Sequence, residues 1–171
     1  MITIGITGPE SSGKTSISKY IAEEFNGVLV EEYSREYLSN NPKYDLNDLI
    51  KIASEQLKRI KKAQKDNNLV ICDTELTVIK VWAEDKFKEC PKEIKKLYSE
   101  QNIDLYILCK PDIPWTYDEL REDKHRREEL FDIYQNELDI SKKNYFILSG
   151  NKEYRNMVTK DLVKSFIRGT R

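Results

Sequence analysis

The segment from residue 8 to residue 15 combines glycine, lysine and threonine in a spacing that suits phosphate binding. It has the sequence GPESSGKT and fits the pattern G-x-x-x-x-G-K-[ST], with an apolar run before it and a helical pattern after it. Its glycines allow successive backbone N–H groups to point inward at a helix N-terminus, where they bind an anion. The lysine can reach the β- and γ-phosphates, and the threonine hydroxyl can bind Mg²⁺. We therefore expect ATP and Mg²⁺ as cofactors, with the nucleotide bound by Gly8, Glu10, Ser11, Ser12, Gly13, Lys14 and Thr15.

Two carboxylates directly follow apolar runs and are candidates for binding the metal and the acceptor hydroxyl. Asp73 closes the run Leu69–Cys72, as a Walker-B carboxylate does, and we expect it to bind the metal together with Thr15. Capping of the following helix is the structural alternative for Asp73. Glu32 follows the run Val28–Val30 and is the second candidate for the base that orients an attacking hydroxyl. Asp73 ranks slightly ahead of Glu32 for that role, and a paired role is also consistent with the sequence.

A polar segment with two prolines, Pro111–Arg127, follows the fourth apolar run. Small-molecule kinases carry a closing lid at this point, and arginines on a lid can stabilise the transferred phosphoryl group and exclude water. We expect Arg121 to be catalytic in this way, and Arg126 and Arg127 to bind the nucleotide. An ordinary charged helix with ion pairs four residues apart is the alternative.

The elements that must position these residues alternate between short apolar runs and segments of helical period. Such alternation predicts a three-layer α/β domain with a parallel sheet of about five strands, as in P-loop kinases, in one domain over residues 1–171. Helices are predicted over Lys14–Phe25, after Asp45, through Ile79 and Trp82, after Pro91, over Leu130–Leu138 and over Met157–Ile167. Strands are predicted at Met1–Thr7, Val28–Val30, Leu69–Cys72, Ile103–Cys109 and Tyr145–Leu148.

Composition excludes several classes of protein. The 171 residues include 29 Lys and Arg against 30 Asp and Glu, and this balance argues against nucleic acid or an anionic membrane as the main partner. No apolar run approaches the roughly 18–20 residues that a membrane helix needs. Cys72, Cys90 and Cys109 lack metal-ligand spacing and are expected to be free thiols. We therefore expect a cytoplasmic enzyme, and the sequence does not indicate its oligomeric state.

Four segments together resemble the ribosylnicotinamide kinase domain of the NadR-like family, an AAA-type P-loop family of NAD metabolism. They are GPESSGKT, EYSREYL, CDTELTVIKVWAE and KPDIPWTYDELREDKHRREELF, and they span Gly8 to Phe131 in order. The P-loop is shared by many families, whereas the other three blocks are more specific in combination. The resemblance implies phosphorylation of the 5′-hydroxyl of nicotinamide riboside by ATP and Mg²⁺, giving nicotinamide mononucleotide in NAD salvage.

A nicotinamide riboside acceptor carries a pyridinium cation, which favours aromatic faces and carboxylates in its pocket. The candidate acceptor-binding residues are Tyr33, Arg35, Trp82, Trp115 and Asp118. Three other functions stay open. A deoxynucleoside kinase and a nucleoside monophosphate kinase share the chemistry, although a monophosphate calls for more arginines than Arg35 after the second strand. A regulatory module that binds ATP and NAD-like ligands without transfer is the third.

Overall fold

The protein folds around a parallel sheet of five strands in the order β2-β3-β1-β4-β5. The computed structural model describes residues 1–41, 43–117 and 123–170. The strands are β1 (Ile2–Thr7), β2 (Val28–Val30), β3 (Leu69–Asp73), β4 (Leu105–Cys109) and β5 (Tyr145–Leu148). Their apolar, β-branched sequences suit strands that are covered on both faces, as parallel strands with helical crossovers are.

Seven helices lie between or after the strands in the described part of the chain. They are α1 (Lys14–Phe25), α2 (Tyr33–Asn40), α3 (Leu46–Asp66), α4 (Leu76–Phe87), α5 (Lys92–Glu100), α6 (Arg127–Ile140) and α7 (Lys152–Gly169). The longest, α3, begins with a capping box in which the Asp45 and Asp48 side chains each accept a backbone N–H of the other residue.

The helices form a layer on each face of the sheet. Helices α1 and α7 pack on one face, where Ile4, Ile6 and Ile71 meet Ile21 and Val163. The other face carries α3, α4 and α5, against side chains such as those of Val70 and Cys72, while α6 packs beside α4 over β4. Alternate residues of β3 therefore enter different cores, as the period of a strand requires. The predicted fold class is confirmed.

The element boundaries differ from the predictions at several places. Helix α6 begins at Arg127, three residues before the predicted start, and the other main differences concern α2, α7 and β4. The polar segment after β2 forms α2, whose helical character is hidden in the sequence because Ser34 and Leu38 alone are its buried residues. Helix α7 begins five residues before Met157, because the Asn151 side chain accepts the N–H of Tyr154 and caps it. Strand β4 begins at Leu105, two residues later than predicted.

All three cysteines are free and buried. None of the helices in the described ranges is long and apolar enough to cross a membrane.

Candidate active site

The loop between β1 and α1 is curled in a way that its two glycines permit. Gly8 and Gly13 have φ angles of 126° and 88°, in the left-handed region that glycine adopts without strain. A Cβ atom added at Gly8 would lie 2.7 Å from the carbonyl oxygen of Cys109 at the end of β4. The loop therefore needs glycine at position 8 both for its backbone angle and for its close approach to the sheet.

We expect Gly8→Ala to weaken ATP binding roughly tenfold, because a left-handed alanine costs on the order of 1–3 kcal/mol and the loop must move away from β4. Isothermal titration with ATP measures this change. Gly169→Ala is the matched control, since an added Cβ there meets no atom within 4 Å. Equal ATP affinity in the two variants would contradict this account of the loop.

Two arginines from distant parts of the chain hold the same loop from outside. Arg155 of α7 is 2% exposed, and its guanidinium donates to the carbonyl oxygens of Ser12 (2.6 Å), Lys110 (2.7 Å) and Gly150 (2.8 Å). It also pairs with Asp112. Arg127 donates to the carbonyl oxygens of Ser11 and Ile113, each at 3.1 Å. These contacts bind carbonyl oxygens on the outside of the loop and hold its backbone in place. Its N–H groups can then point toward a ligand on the inside.

Lys14 opens α1, and its ammonium group folds back over the loop. Its Nζ donates to the carbonyl oxygens of Gly8 (3.0 Å) and Pro9 (2.8 Å). Burial lowers the pKa of Lys14, while the nearby carboxylates of Glu32 and Asp73 oppose that change. The ammonium group is thus held close to its own loop, with a desolvated charge that an anionic ligand would stabilise.

Asp73 lies beside the P-loop strand, because β3 pairs with β1 in a register that sets Ile6 opposite Asp73. Its side chain is buried, and its Oδ1 has no hydrogen-bond partner among the described residues. Burial raises the pKa of Asp73; a hydrogen bond from the Thr15 side chain opposes this change, and the charge of Glu32 adds to it. A buried acceptor oxygen without a partner, next to a threonine hydroxyl, fits a divalent cation.

No cluster of three or more His, Cys, Asp or Glu side chains suitable for a metal is found in residues 1–41, 43–117 and 123–170. Mg²⁺ does not need one, because it takes most of its ligands from phosphate and water.

Glu32 follows β2 and lines the same cavity as the loop. Its two carboxylate oxygens are held separately, since Ser34 Oγ donates to Oε1 at 2.6 Å and Arg35 Nε donates to Oε2 at 3.1 Å. Asp73 is not among the residues that line the cavity. The two predicted carboxylates therefore occupy different positions, with Glu32 at the cavity wall and Asp73 behind Thr15.

The cavity has a volume of about 470 Å³ and joins the phosphate-binding loop to a group of aromatic and charged side chains. At the far end the rings of Tyr44 and Trp82 meet edge to face at 5.0 Å, and Trp82 Nε1 donates to Tyr44 Oη at 3.2 Å. The predicted site residues that line the cavity are Gly8, Glu10, Ser11, Ser12, Gly13, Lys14, Thr15, Glu32, Arg35, Trp82 and Arg126.

Besides Asp73, three predicted site residues among the described ones lie outside the cavity lining. Tyr33 packs against Tyr37 and beneath the guanidinium of Arg59, 4.3 Å from its ring centre, so its ring faces α3. Trp115 contacts Glu10 through its Nε1, at 3.4 Å, and lies beside the loop. Arg127 braces the loop backbone as described. The orientation of these side chains is set by packing between elements, and their predicted ligand contacts stay predictions. Arg121 and Asp118 lie outside the described residues.

Arg126 lines the cavity and is held by carboxylates. Its guanidinium makes a bidentate pair with Asp85, at 2.9 and 3.0 Å, and contacts Asp123 and Glu129. The hydrogen bond from Arg126 lowers the pKa of Asp85. Sequence reasoning missed Asp85, Tyr44 and Lys86 as members of the cavity wall; the helical spacing of Asp85 from Trp82 was a signal for the first.

Comparison with known proteins places the chain among P-loop domains. A family model described as an AAA domain (AAA_28) matches residues 3–155. The trifunctional NAD biosynthesis/regulator protein NadR of Escherichia coli (strain K12) is 30% identical over 125 residues, which cover 70% of this chain and 30% of that protein. The chain thus spans about 30% of the length of the curated relatives it matches.

Solved structures show the same fold. A crystal structure of NadR in complex with NAD and AMP-PNP matches with a TM-score of 0.82 at 20% identity, covering 96% of this chain and 49% of that one. A NadR complex with NR matches at 0.78 and 19% identity, over 95% and 49%. Deoxyadenosine kinase from M. mycoides, with dCMP and dCDP bound, matches at 0.70 and 15% identity, over 96% and 100%. At these identities the likeness concerns the fold.

Proposed function

The chain belongs to the AAA domain family (AAA_28), and from that premise we propose that it is a P-loop kinase that phosphorylates the 5′-hydroxyl of nicotinamide riboside with ATP. The observation that carries the proposal is that one cavity is lined both by the phosphate-binding loop and by aromatic and carboxylate side chains. The similarity to NadR, one structure of which contains NR, supports the choice of acceptor.

The reaction is an in-line transfer through a loose transition state, so the protein contributes mainly position and charge. Backbone N–H groups of the loop hold the β-phosphate, and the ammonium of Lys14 leaves the carbonyl oxygens of Gly8 and Pro9 for the γ-phosphate. Mg²⁺, held by Thr15 and Asp73, would neutralise charge on the β- and γ-phosphates. This arrangement of charges stabilises the transition state more than the ground state.

Glu32 is the better candidate for orienting the acceptor hydroxyl. It lines the cavity, and Ser34 and Arg35 fix its carboxylate oxygens. Asp73 is buried behind Thr15, which suits the metal. This assignment reverses the order favoured by the sequence. In a loose transition state the carboxylate accepts the proton late, so its main task is to point the oxygen at phosphorus.

The far wall suits a cationic ring. Trp82 offers an electron-rich face and Asp85, paired with Arg126, offers a carboxylate, while the ammonium of Lys86 lies 4.4 Å from the ring centre of Tyr44.

The acceptor is tested with ATP and Mg²⁺ against nicotinamide riboside, thymidine, deoxycytidine, uridine and nicotinamide mononucleotide, with ADP and phosphorylated product both measured. We expect the highest kcat/KM for nicotinamide riboside. Trp82→Leu should raise its KM roughly tenfold, because a desolvated cation–π contact is worth about 1–2 kcal/mol, with the KM of ATP little changed.

Trp115→Leu is the matched control, since Trp115 is outside the cavity lining and its loss should leave the KM of nicotinamide riboside within about twofold. A preference for a deoxynucleoside would instead favour the activity named for the M. mycoides enzyme, whose fold matches over its whole length. ADP without a phosphorylated acceptor would indicate an ATPase switch. ATP binding without turnover would favour the regulatory module.

A further inference from the structure

Gln56 is a polar residue in the buried stripe of α3. It is 1% exposed, and its neighbours on the stripe are apolar, among them Ala53, Leu57 and Ile60. Burying an amide is unfavourable unless its polar atoms find partners. An apolar side chain of similar size would satisfy the packing of α3, so the partners of the amide give the reason for a glutamine here.

The three hydrogen bonds of Gln56 all reach the chain next to the two carboxylates. Its Oε1 accepts the backbone N–H of Tyr33 at 2.8 Å, and its Nε2 donates to the carbonyl oxygen of Glu31 at 3.3 Å. These residues lie on either side of Glu32. The same Nε2 donates to the carbonyl oxygen of Thr74 at 3.4 Å, directly after Asp73. One amide therefore contacts the backbone around both acidic residues.

The sheet itself does not hold these strand ends together. The pairing of β2 with β3 ends at Val30 and Cys72, before either carboxylate. Thr74 is also strained, because it is β-branched and has a φ angle of 72°. Such a conformation persists only where its surroundings impose it. The backbone N–H of Thr74 donates to Ile6 at 3.2 Å, and Gln56 binds its carbonyl group.

We propose that Gln56 is a positioning residue for phosphoryl transfer, which fixes the carboxylate of Glu32 relative to that of Asp73 through the backbone on either side of them. The inference rests on the proposed kinase function. Through Gln56, helix α3 sets the geometry between the group that faces the acceptor hydroxyl and the group that faces the metal.

Gln56→Met tests this role, because methionine keeps the volume and removes all three hydrogen bonds. Gln64→Met is the matched control on the same helix: Gln64 donates to Thr3 Oγ1 (2.9 Å) and to the carbonyl oxygen of Asn102 (2.8 Å), near the start of β1. We expect Gln56→Met to lower kcat at least about tenfold, with the KM of ATP within about twofold, because misplaced reacting groups lower the rate at unchanged binding.

If Gln56 had only a structural role, kcat of Gln56→Met would fall only in proportion to the fraction of folded protein. The thermal midpoint would then fall in both variants, since both lose hydrogen bonds. A kcat loss in Gln56→Met no larger than that in Gln64→Met would overturn the proposal. So would an equal loss in kcat and in ATP affinity, which would mean that the loop itself had been damaged.

A second measurement does not depend on turnover. The affinity for AMP-PNP is measured by calorimetry at increasing Mg²⁺ concentrations. Gln56→Met should need roughly tenfold more Mg²⁺ to reach half of the gain in AMP-PNP affinity, because loss of a partner that orients metal ligands typically weakens metal binding by about that factor. Affinity without Mg²⁺ should stay at the wild-type level. An unchanged Mg²⁺ requirement overturns the positioning role even if no acceptor is phosphorylated, whereas the acceptor panel alone decides the proposed function.

Discussion

Replacing Lys14 by alanine is expected to lower kcat by at least ~10²-fold, the largest effect of any single change in the loop. The ammonium group is already desolvated next to Gly8 and Pro9, and its pKa is lowered by burial. A pre-organised charge in such a site stabilises the transferred phosphoryl group far more than a hydrated charge would. Steady-state phosphorylation of the preferred acceptor, with ADP measured in parallel, tests the prediction.

Lys19→Ala is the control, because Lys19 lies on the same helix and is exposed. It should leave kcat unchanged. The free energy of unfolding of Lys14→Ala, measured without nucleotide, gives the fraction of folded protein by which kcat is corrected. A kcat for Lys14→Ala close to that of Lys19→Ala would remove the lysine from the mechanism.

Asp73→Asn is expected to abolish most of the activity, about 10²-fold in kcat, and at the same time to stabilise the folded protein in the absence of nucleotide and metal. Activity falls because the amide of asparagine, unlike a carboxylate, offers the cation no negative charge. Stability rises because Asp73 is a buried carboxylate whose Oδ1 has no partner in the described chain and whose pKa burial raises. Urea denaturation at neutral pH measures the second effect.

The pH dependence has a definite sign. A carboxylate whose pKa is higher in the folded state than in the unfolded state binds more protons when folded, so the free energy of unfolding falls as pH rises from the unfolded pKa through the folded pKa. Asp73 contributes to this fall, and so does Glu75, whose pKa is also raised by burial. Asp73→Asn should therefore reduce the decline of stability with rising pH without removing it.

Glu32→Gln distinguishes the role of Glu32 from that of Asp73. It should lower kcat while leaving the Mg²⁺ requirement for AMP-PNP binding at the wild-type level, whereas Asp73→Asn should change that requirement. A fully active Asp73→Asn variant would show that the metal is held elsewhere. A Mg²⁺ requirement that changes equally in both variants would contradict the division of roles between the cavity wall and the metal position.

The sequence predicted the parts of the site that local chemistry specifies. The loop from Gly8 to Thr15 carries its own conformational requirements, and Asp73 is placed by the register of β3 against β1, which follows from a parallel sheet. Residues at the ends of strands were therefore located well. The three-layer α/β architecture with a parallel sheet followed from the alternation of apolar runs and helical segments.

The sequence does not indicate the direction of side chains that depends on how separate elements meet. Tyr33 begins α2, and the guanidinium of Arg59 on α3 covers its ring, which no local pattern reveals. Arg127 supports the loop backbone, and its predicted contact with the nucleotide stays a prediction. Gln56 stands in a helical stripe where its three backbone partners are far away in sequence. Hydrophobic periodicity and the propensities for helix and strand do not encode such contacts.

The arginines around the loop connect it to residues that lie far along the sequence. Arg127 and Arg155 reach carbonyl groups of Ser11 and Ser12 across 116 and 143 residues of sequence. An unfinished polypeptide emerging from the ribosome therefore has the P-loop residues long before it has the braces that shape them. We expect the loop to acquire its ATP-binding shape only after α7 has docked, so that removal of α7 should weaken ATP binding.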